Sequence, residues 1–219
     1  MILSRWSLCI DGKRAQQQSE ATLTKGNGSE SLEDLSDKAF EIAKRRQAAA
    51  VDVMKLIEEH YQTTLESHSG TVLRAAAWLA GTSLYRSLGY QEELEPGVLV
   101  LSEEANQQVP GLMKVFMFLL DKEGVKLKAD EFVANIPQEF APRKALLEIQ
   151  KQFQDGYNAI MKWHGFDYLE GAKTGAVVCA LLVKLYSLRR KELEPKMAAS
   201  IVSMGFIEGA KTAPAALKK

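Results

Sequence analysis

Apolar residues recur at steps of three and four along most of this chain, and this period constrains the fold more than any other feature. From Leu35 to about Leu65 the small and apolar residues follow one helical face, and most charges lie off it; they are Ala39, Ala43, Ala50, Val53, Ile57 and Tyr61. From Pro142 the same steps recur at Leu146, Ile149, Phe153, Tyr157, Ile160 and Trp163. A period of about 3.6 residues is that of an amphipathic α-helix. Because no stretch sustains the alternation of a half-buried strand, the sequence predicts an all-α fold.

Start and stop signals divide the chain into a multi-helix bundle of about seven helices. Besides 35–65 and 142–165, we predict helices over 71–88, 103–120, 167–190 and 194–211, with a short helical turn near 130–135. Pro110 is expected to kink or restart the 103–120 helix. The segment Val98–Leu101 has a strand-like composition, but an isolated strand is not stable in water. We therefore predict coil or a helix start there.

The first residues differ in composition from the rest of the chain. From Gly12 to about Glu33 the sequence is rich in Gln, Ser, Gly, Thr and charge, with too few large apolar groups to offset the entropy lost on ordering. Residues 1–33 are therefore predicted to be a flexible leader, and residues 34–219 a single all-helical domain. The apolar run Met1–Ile10 is interrupted by Arg5 and lacks a small-residue cleavage site, which argues against a signal sequence.

The charge balance, the two cysteines and the interrupted apolar stretches limit the partners and the compartment that the sequence predicts. The chain carries 28 Lys+Arg and 28 Asp+Glu, so it has no net field that would draw it onto nucleic acid. Cys9 and Cys179 are far apart, which fits a reducing compartment, and we expect a cytoplasmic protein with Cys179 buried. Charged residues interrupt the apolar stretches Val72–Leu88 and Thr174–Leu188, so we predict buried helices and no membrane span.

A weak internal sequence repeat relates the two halves of the chain. Leu84-Tyr85 followed by Glu93 to Pro96 matches Leu185-Tyr186 followed by Glu192 to Pro195. The offsets are 186 − 85 = 101 for the tyrosines and 195 − 96 = 99 for the prolines. A duplication would give pseudo-symmetric halves at residues 35–125 and 142–215. The alternative is a chance match between helices of similar composition, and both interpretations remain open.

Small residues four apart lie on one face of three predicted helices. They include Ala77 and Gly81, Gly171 and Gly175, and Gly205 and Gly209. A face without side chains lets another backbone approach closely, in the core or across a dimer interface. The alternative is a space for a flat apolar ligand between helices. We favour helix packing.

Histidines are the one candidate for a metal or proton-transfer site. His60 and His164 end two amphipathic helices beside acidic residues, and they would converge if the halves pair about an axis. The Glu-x-x-His spacing of di-metal helical proteins is absent, since Ile57 and Met161 stand three residues before them. We favour hydrogen-bonded structural histidines and predict no cofactor.

Function is constrained mainly by the lack of a recognisable catalytic motif: no P-loop, no H-E-x-x-H, no C-x-x-C and no G-x-S-x-G is present. The basic groups Lys44-Arg45-Arg46 and Arg189-Arg190-Lys191 are too short to indicate nucleic-acid binding. We expect a non-enzymatic interaction or scaffold protein that binds a protein partner or itself. The alternatives are a ligand- or metal-dependent helical protein with a site between the halves, and peripheral membrane association through Met1–Ile10.

Overall fold

The computed structural model describes residues 32–63, 68–90, 94–128, 131–132 and 135–217. Over these residues the protein is an all-helical bundle whose six α-helices are α1 (Leu32–Thr63), α2 (Ser69–Ser87), α3 (Glu103–Lys122), α4 (Leu146–Trp163), α5 (Tyr168–Val183) and α6 (Pro195–Lys211). The all-α class is confirmed, with six α-helices among the described residues where about seven were predicted. Most of the predicted leader and Cys9 lie outside the described residues.

The chain divides into two units, residues 1–38 and residues 39–219. In the larger unit α2 is the central helix, and every residue from Ser69 to Tyr85 is buried. It packs most extensively against α6 and α5, while α3 packs against α5. A helix buried on all sides needs small residues wherever a neighbour approaches, and α2 supplies a run of alanines for this purpose.

The chain between α3 and α4 differs from the prediction. The predicted turn near 130–135 lies partly outside the described residues, and the turn that is described is a 3-10 helix at Gln138–Phe140. Helix α4 begins at Leu146 rather than at Pro142, because Ala145 is its N-cap and donates its backbone N–H to the Glu148 carboxylate at 2.9 Å. Helix α3 runs as one element through Pro110.

The segment Val98–Leu101 is coil, as predicted, apart from one bridged residue, and it has a partner in the chain after α6 that the sequence did not reveal. Leu99 forms an isolated antiparallel bridge with Thr212. Val100 N–H donates to Lys211 O at 2.7 Å, and Ala213 N–H donates to Val98 O at 2.8 Å. The partner that the sequence did not reveal is more than a hundred residues away.

The predicted 167–190 helix consists of two parts. It is α-helical over Tyr168–Val183 and becomes a π-helix over Lys184–Arg189. By length and composition Tyr168–Arg189 could cross a membrane, but 67% of its most apolar window is buried inside the protein. The core helix of a globular bundle is buried to a similar extent.

Candidate functional site

The glycines of α2 and α6 lie where these two helices cross. A Cβ added at Gly209 would stand 2.6 Å from Trp78 O, and one added at Gly81 would stand 2.6 Å from Phe206 O. A Cβ at Gly205 would stand 2.5 Å from the Ala77 Cβ. Side chains larger than hydrogen therefore do not fit between these backbones.

The glycines of α5 lie against α2 and α4. A Cβ at Gly175 would stand 2.5 Å from the Ala80 Cβ and 2.7 Å from the Tyr157 hydroxyl. A Cβ at Gly171 would meet the Met161 side chain at 3.2 Å, an approach that a flexible thioether can accommodate. These faces are thus covered by helices of the same chain. A flat ligand or a second protomer could reach them only if the helices separated.

A buried arginine at the α2–α6 crossing is a feature that the sequence analysis missed. Arg74 is only 5% exposed, and it donates to Ile201 O at 2.9 Å from Nη1. Its Nε lies 3.5 Å from the Glu208 carboxylate, which also accepts from Trp78 Nε1–H at 2.6 Å. Burial lowers the pKa of the Arg74 guanidinium and the charge of Glu208 partly reverses this. The group holds α6 on α2; Arg74 Nε has no hydrogen-bond partner among the described residues and meets only the charge of Glu208.

The two histidines considered as metal ligands, His60 and His164, lie at different positions along the axes of α1 and α4. His164 Nε2 lies 2.9 Å from the Asp52 carboxylate, whereas the His60 ring packs edge-on to Phe153 with centroids 5.1 Å apart and contacts the Gln152 amide. Asp52 and His60 are 60 − 52 = 8 residues apart on α1, about 12 Å along the axis. Two ligands of one metal must each lie about 2 Å from it, so this arrangement does not form a shared site.

Other titratable groups add no metal or nucleophile site to the described part of the chain. No group of three or more His, Cys, Asp or Glu residues within it is placed to hold a metal ion. Burial raises the pKa of the Cys179 thiol and of the Tyr157 hydroxyl, and raises that of Tyr186 to about 12. A buried thiol that stays protonated is a poor nucleophile, so Cys179 acts as a small apolar residue.

His68 has a structural role that its position in the sequence did not indicate. Its Nδ1 accepts from the Thr71 N–H at 3.2 Å and so caps the N-terminus of α2. Its Nε2 lies 2.5 Å from Glu139 O, and because a carbonyl only accepts, Nε2 carries the proton. Arg143 N–H donates to the Thr71 hydroxyl at 3.0 Å. These bonds fasten the 138–143 segment to the start of α2.

Comparison of the chain with protein-family models, with curated proteins and with solved structures finds no match.

The apolar face of α1 is buried along only half of its length. Ala49, Ala50, Val53 and Ile57 are fully buried in the core. Within the larger unit their face continues toward the N-terminus through Ile42 and Ala39 at the same steps of three and four. Both residues are exposed, and Ile42 has 36% of its area accessible. We call Ala39 and Ile42 the exposed α1 face.

An ion pair and a cation–π contact mark where the α1 face becomes exposed. Arg46, one turn after Ile42, forms an ion pair with Glu170 of α5, and the Arg45 guanidinium lies over the Phe166 ring at 5.5 Å. The neighbouring corner between α4 and α5 is also apolar: Trp163 is 85% exposed, and Tyr168 and Leu169 are partly exposed. Two of the three basic residues noted in the sequence at 44–46 thus serve the contact between α1 and this corner.

Proposed function

We propose that this protein is a non-enzymatic protein-interaction module that binds a partner through the exposed α1 face and the neighbouring α4–α5 corner. The observation that carries the proposal is the division of one apolar stripe, with Ala50, Val53 and Ile57 fully buried and Ala39 and Ile42 exposed. Contiguous exposed apolar surface is a common mark of a protein-binding site, and an amphipathic helix face is a common way to meet a partner's apolar groove or helix.

A second observation supports the same surface. Trp163 is the most exposed of the described tryptophans, with 85% of its area accessible, whereas Trp78 is buried. Tryptophan is enriched among the residues that contribute most to the free energy of binding. The small-residue faces are covered by helices of the same chain, so the exposed α1 face replaces them in the proposal. A second copy of the chain is the first candidate partner, and the zero net charge gives no reason to expect nucleic acid.

We also propose that the two halves arose by duplication and that the protein is cytoplasmic without a membrane span. The order of three helices, α1–α3, followed by three more, α4–α6, supports a duplication. So do the buried positions of Tyr85, near the end of α2, and Tyr186, in the π-helix that follows α5. The prolines differ: Pro195 is the first residue of α6, while Pro96 lies in a turn before the Leu99 bridge. The duplicated units have therefore diverged in how the third helix begins.

Sedimentation equilibrium of the full chain tests the proposal together with a set of aspartate substitutions. Ala39→Asp and Ile42→Asp should weaken a concentration-dependent dimer about tenfold or more, because each places a charge in the apolar contact. Leu101→Asp is the matched control, since Leu101 is exposed but lies before α3. Equal effects of the three substitutions would contradict the assignment of this surface.

Site-specific photo-crosslinking extends the test to a partner other than a second copy. A photoreactive phenylalanine analogue at position 42 should form protein adducts in cells of the source organism, and the same group at position 101 should form fewer. A strict monomer at high concentration together with no adduct at position 42 would overturn the proposed function.

A further inference from the structure

Residues 212–217, which follow α6, run antiparallel to the segment before α3, and we call them the strap. Both main-chain groups of Ala213 are paired there. Its N–H donates to Val98 O at 2.8 Å, and its carbonyl accepts from Gly97 N–H at 2.8 Å. The strap is therefore paired with residues 97–100 in the manner of an antiparallel strand.

Two side chains continue this main-chain pairing further along the strap. Ala215 N–H donates to Gln150 Oε1 at 3.0 Å, and Arg86 Nη2 donates to Ala215 O at 2.6 Å. In an extended chain, residues two apart present their N–H and C=O groups to the same side. The α4 amide and the α2 guanidinium therefore take the place of the next paired residue of a strand.

The Gln150 amide is fixed in place by α2. Gln150 is 2% exposed, and its Nε2 donates to the Thr82 hydroxyl at 2.8 Å. Thr82 is itself fully buried. Because this bond sets the orientation of the amide, Oε1 is left to accept from the strap. The two helices thus build an acceptor for a peptide N–H, and Arg86 supplies the donor for the neighbouring carbonyl.

The strap contributes few apolar contacts of its own. Ala213 is the one fully buried residue among 212–217, and its side chain is a single methyl group, whereas Ala216 is exposed. Much of the surface that the strap covers is polar, since Gln150 and Arg86 can be hydrated when it leaves. Segments with little apolar burial open locally at a lower free energy than the core. We therefore expect the strap to open without unfolding of the bundle.

We propose that the strap is detachable and that it occupies a site for an extended peptide segment of a partner protein. The site recognises the peptide main chain through residues 97–98, Gln150 and Arg86, and it requires a small side chain at the position of Ala213. Strand addition commonly gains its affinity from main-chain hydrogen bonds of this kind. None of these residues belongs to the exposed α1 face or to the α4–α5 corner, so this inference does not rest on the proposed function.

Fluorescence polarisation with a labelled, capped peptide that copies residues 211–217 tests the inference on the full chain. In the parent chain the strap competes with this peptide at a high effective concentration. Ala213→Asp places a carboxylate at a buried position and should release the strap while leaving the site itself unchanged. This chain should bind the peptide about tenfold or more tightly than the parent. Ala216→Asp is the matched control, since Ala216 is exposed, and should bind like the parent.

Changes in the peptide test main-chain recognition without altering the protein. N-methylalanine in place of Ala215 removes the N–H that Gln150 accepts, and should weaken binding to the Ala213→Asp chain about tenfold. N-methylalanine in place of Ala216 is the control, because the N–H of this residue faces away from the paired side, and it should change binding little. Equal losses with the two peptides would contradict recognition through Ala215.

Hydrogen exchange of the parent chain gives an independent readout. The Ala213 and Ala215 amides should exchange through local opening, about a hundredfold or more faster than the amide of Leu79 in the centre of α2. The inference is overturned if these two amides exchange only with global unfolding. It is also overturned if the Ala213→Asp chain loses its helical circular dichroism, since the strap would then be part of the cooperative fold, or if this chain binds no peptide at millimolar concentration.

Discussion

Gly81 of α2 and Gly209 of α6 face each other so closely that a Cβ added at Gly81 would stand 2.9 Å from the Gly209 Cα. Two helices can cross at this distance only if both backbones lack side chains at the contact. The crossing also positions Trp78 and Arg74 against Glu208. This close packing and the buried charge of Arg74 are therefore parts of one contact.

Gly209→Ala should lower the free energy of unfolding by about 1–3 kcal/mol or more, because the new methyl group would overlap Trp78 O in a rigid backbone. Gly111→Ala is the matched control, since Gly111 lies within α3 and has nothing within 4 Å of an added Cβ. It should stabilise the protein by about 1 kcal/mol through helix propensity. Urea unfolding of both variants measures the two values. Similar effects in both would show that the α2–α6 crossing is looser than described.

Removing Glu208 should cost more stability than replacing Arg74 with a long apolar side chain. Glu208→Ala leaves the buried guanidinium of Arg74 without its carboxylate and should lower the unfolding free energy by about 1–3 kcal/mol. Arg74→Met fills much of the same volume, and the Glu208 carboxylate that remains is 42% exposed and can be solvated. Thermal unfolding of the two variants at one pH gives the order. The reverse order would mean that the Arg74 bond to Ile201 O dominates the crossing.

The Asp52–His164 contact should give a small pH-dependent contribution to stability. The hydrogen bond from His164 is the largest cause that lowers the pKa of Asp52 below 3.8. A carboxylate with a lowered pKa stabilises the folded state above its unfolded pKa, and that stabilisation is lost as the pH falls through the folded value. Because the Asp52 side chain is 41% exposed, we expect only a few tenths of a kcal/mol.

Asp52→Asn therefore should cost this amount near pH 6 and nothing well below pH 3.8. Chemical unfolding of the parent chain and the variant at both pH values checks the difference. Asp37→Asn, on an exposed part of α1, is the control. A penalty that is the same at both pH values would exclude the ionised carboxylate as its origin.

Two isoleucines on the apolar stripe of α1 should respond very differently to truncation. Ile57→Ala should cost about 2–5 kcal/mol because Ile57 is fully buried, whereas Ile42→Ala should stay within about 0.5 kcal/mol for the monomer. Unfolding at low protein concentration separates this effect from association. A large cost at Ile42 in the monomer would show that its face is already covered by the same chain.

Features that depend on neighbouring residues were predicted from the sequence, and features that depend on contacts between distant residues were not. Helices α1, α2, α3 and α6 were predicted within a few residues, because their apolar period and their capping or breaking residues are local. The start of α4 was misplaced, since Pro142 is as acceptable in the turn before a helix as at its first position. The stripe of α1 was recognised as one face, but no local pattern reveals that its first part is exposed.

The sequence by itself determined that this protein is helical, where most helices lie and which faces are apolar or small, because each property depends on residues a few positions apart. Only the tertiary structure decided which faces are covered. The pairing of Gly81 with Gly209, of Arg74 with Glu208 and of Leu99 with Thr212 joins residues more than a hundred positions apart. The separation of His60 from His164 has the same origin, since the packing of α1 on α4 sets the height of each side chain.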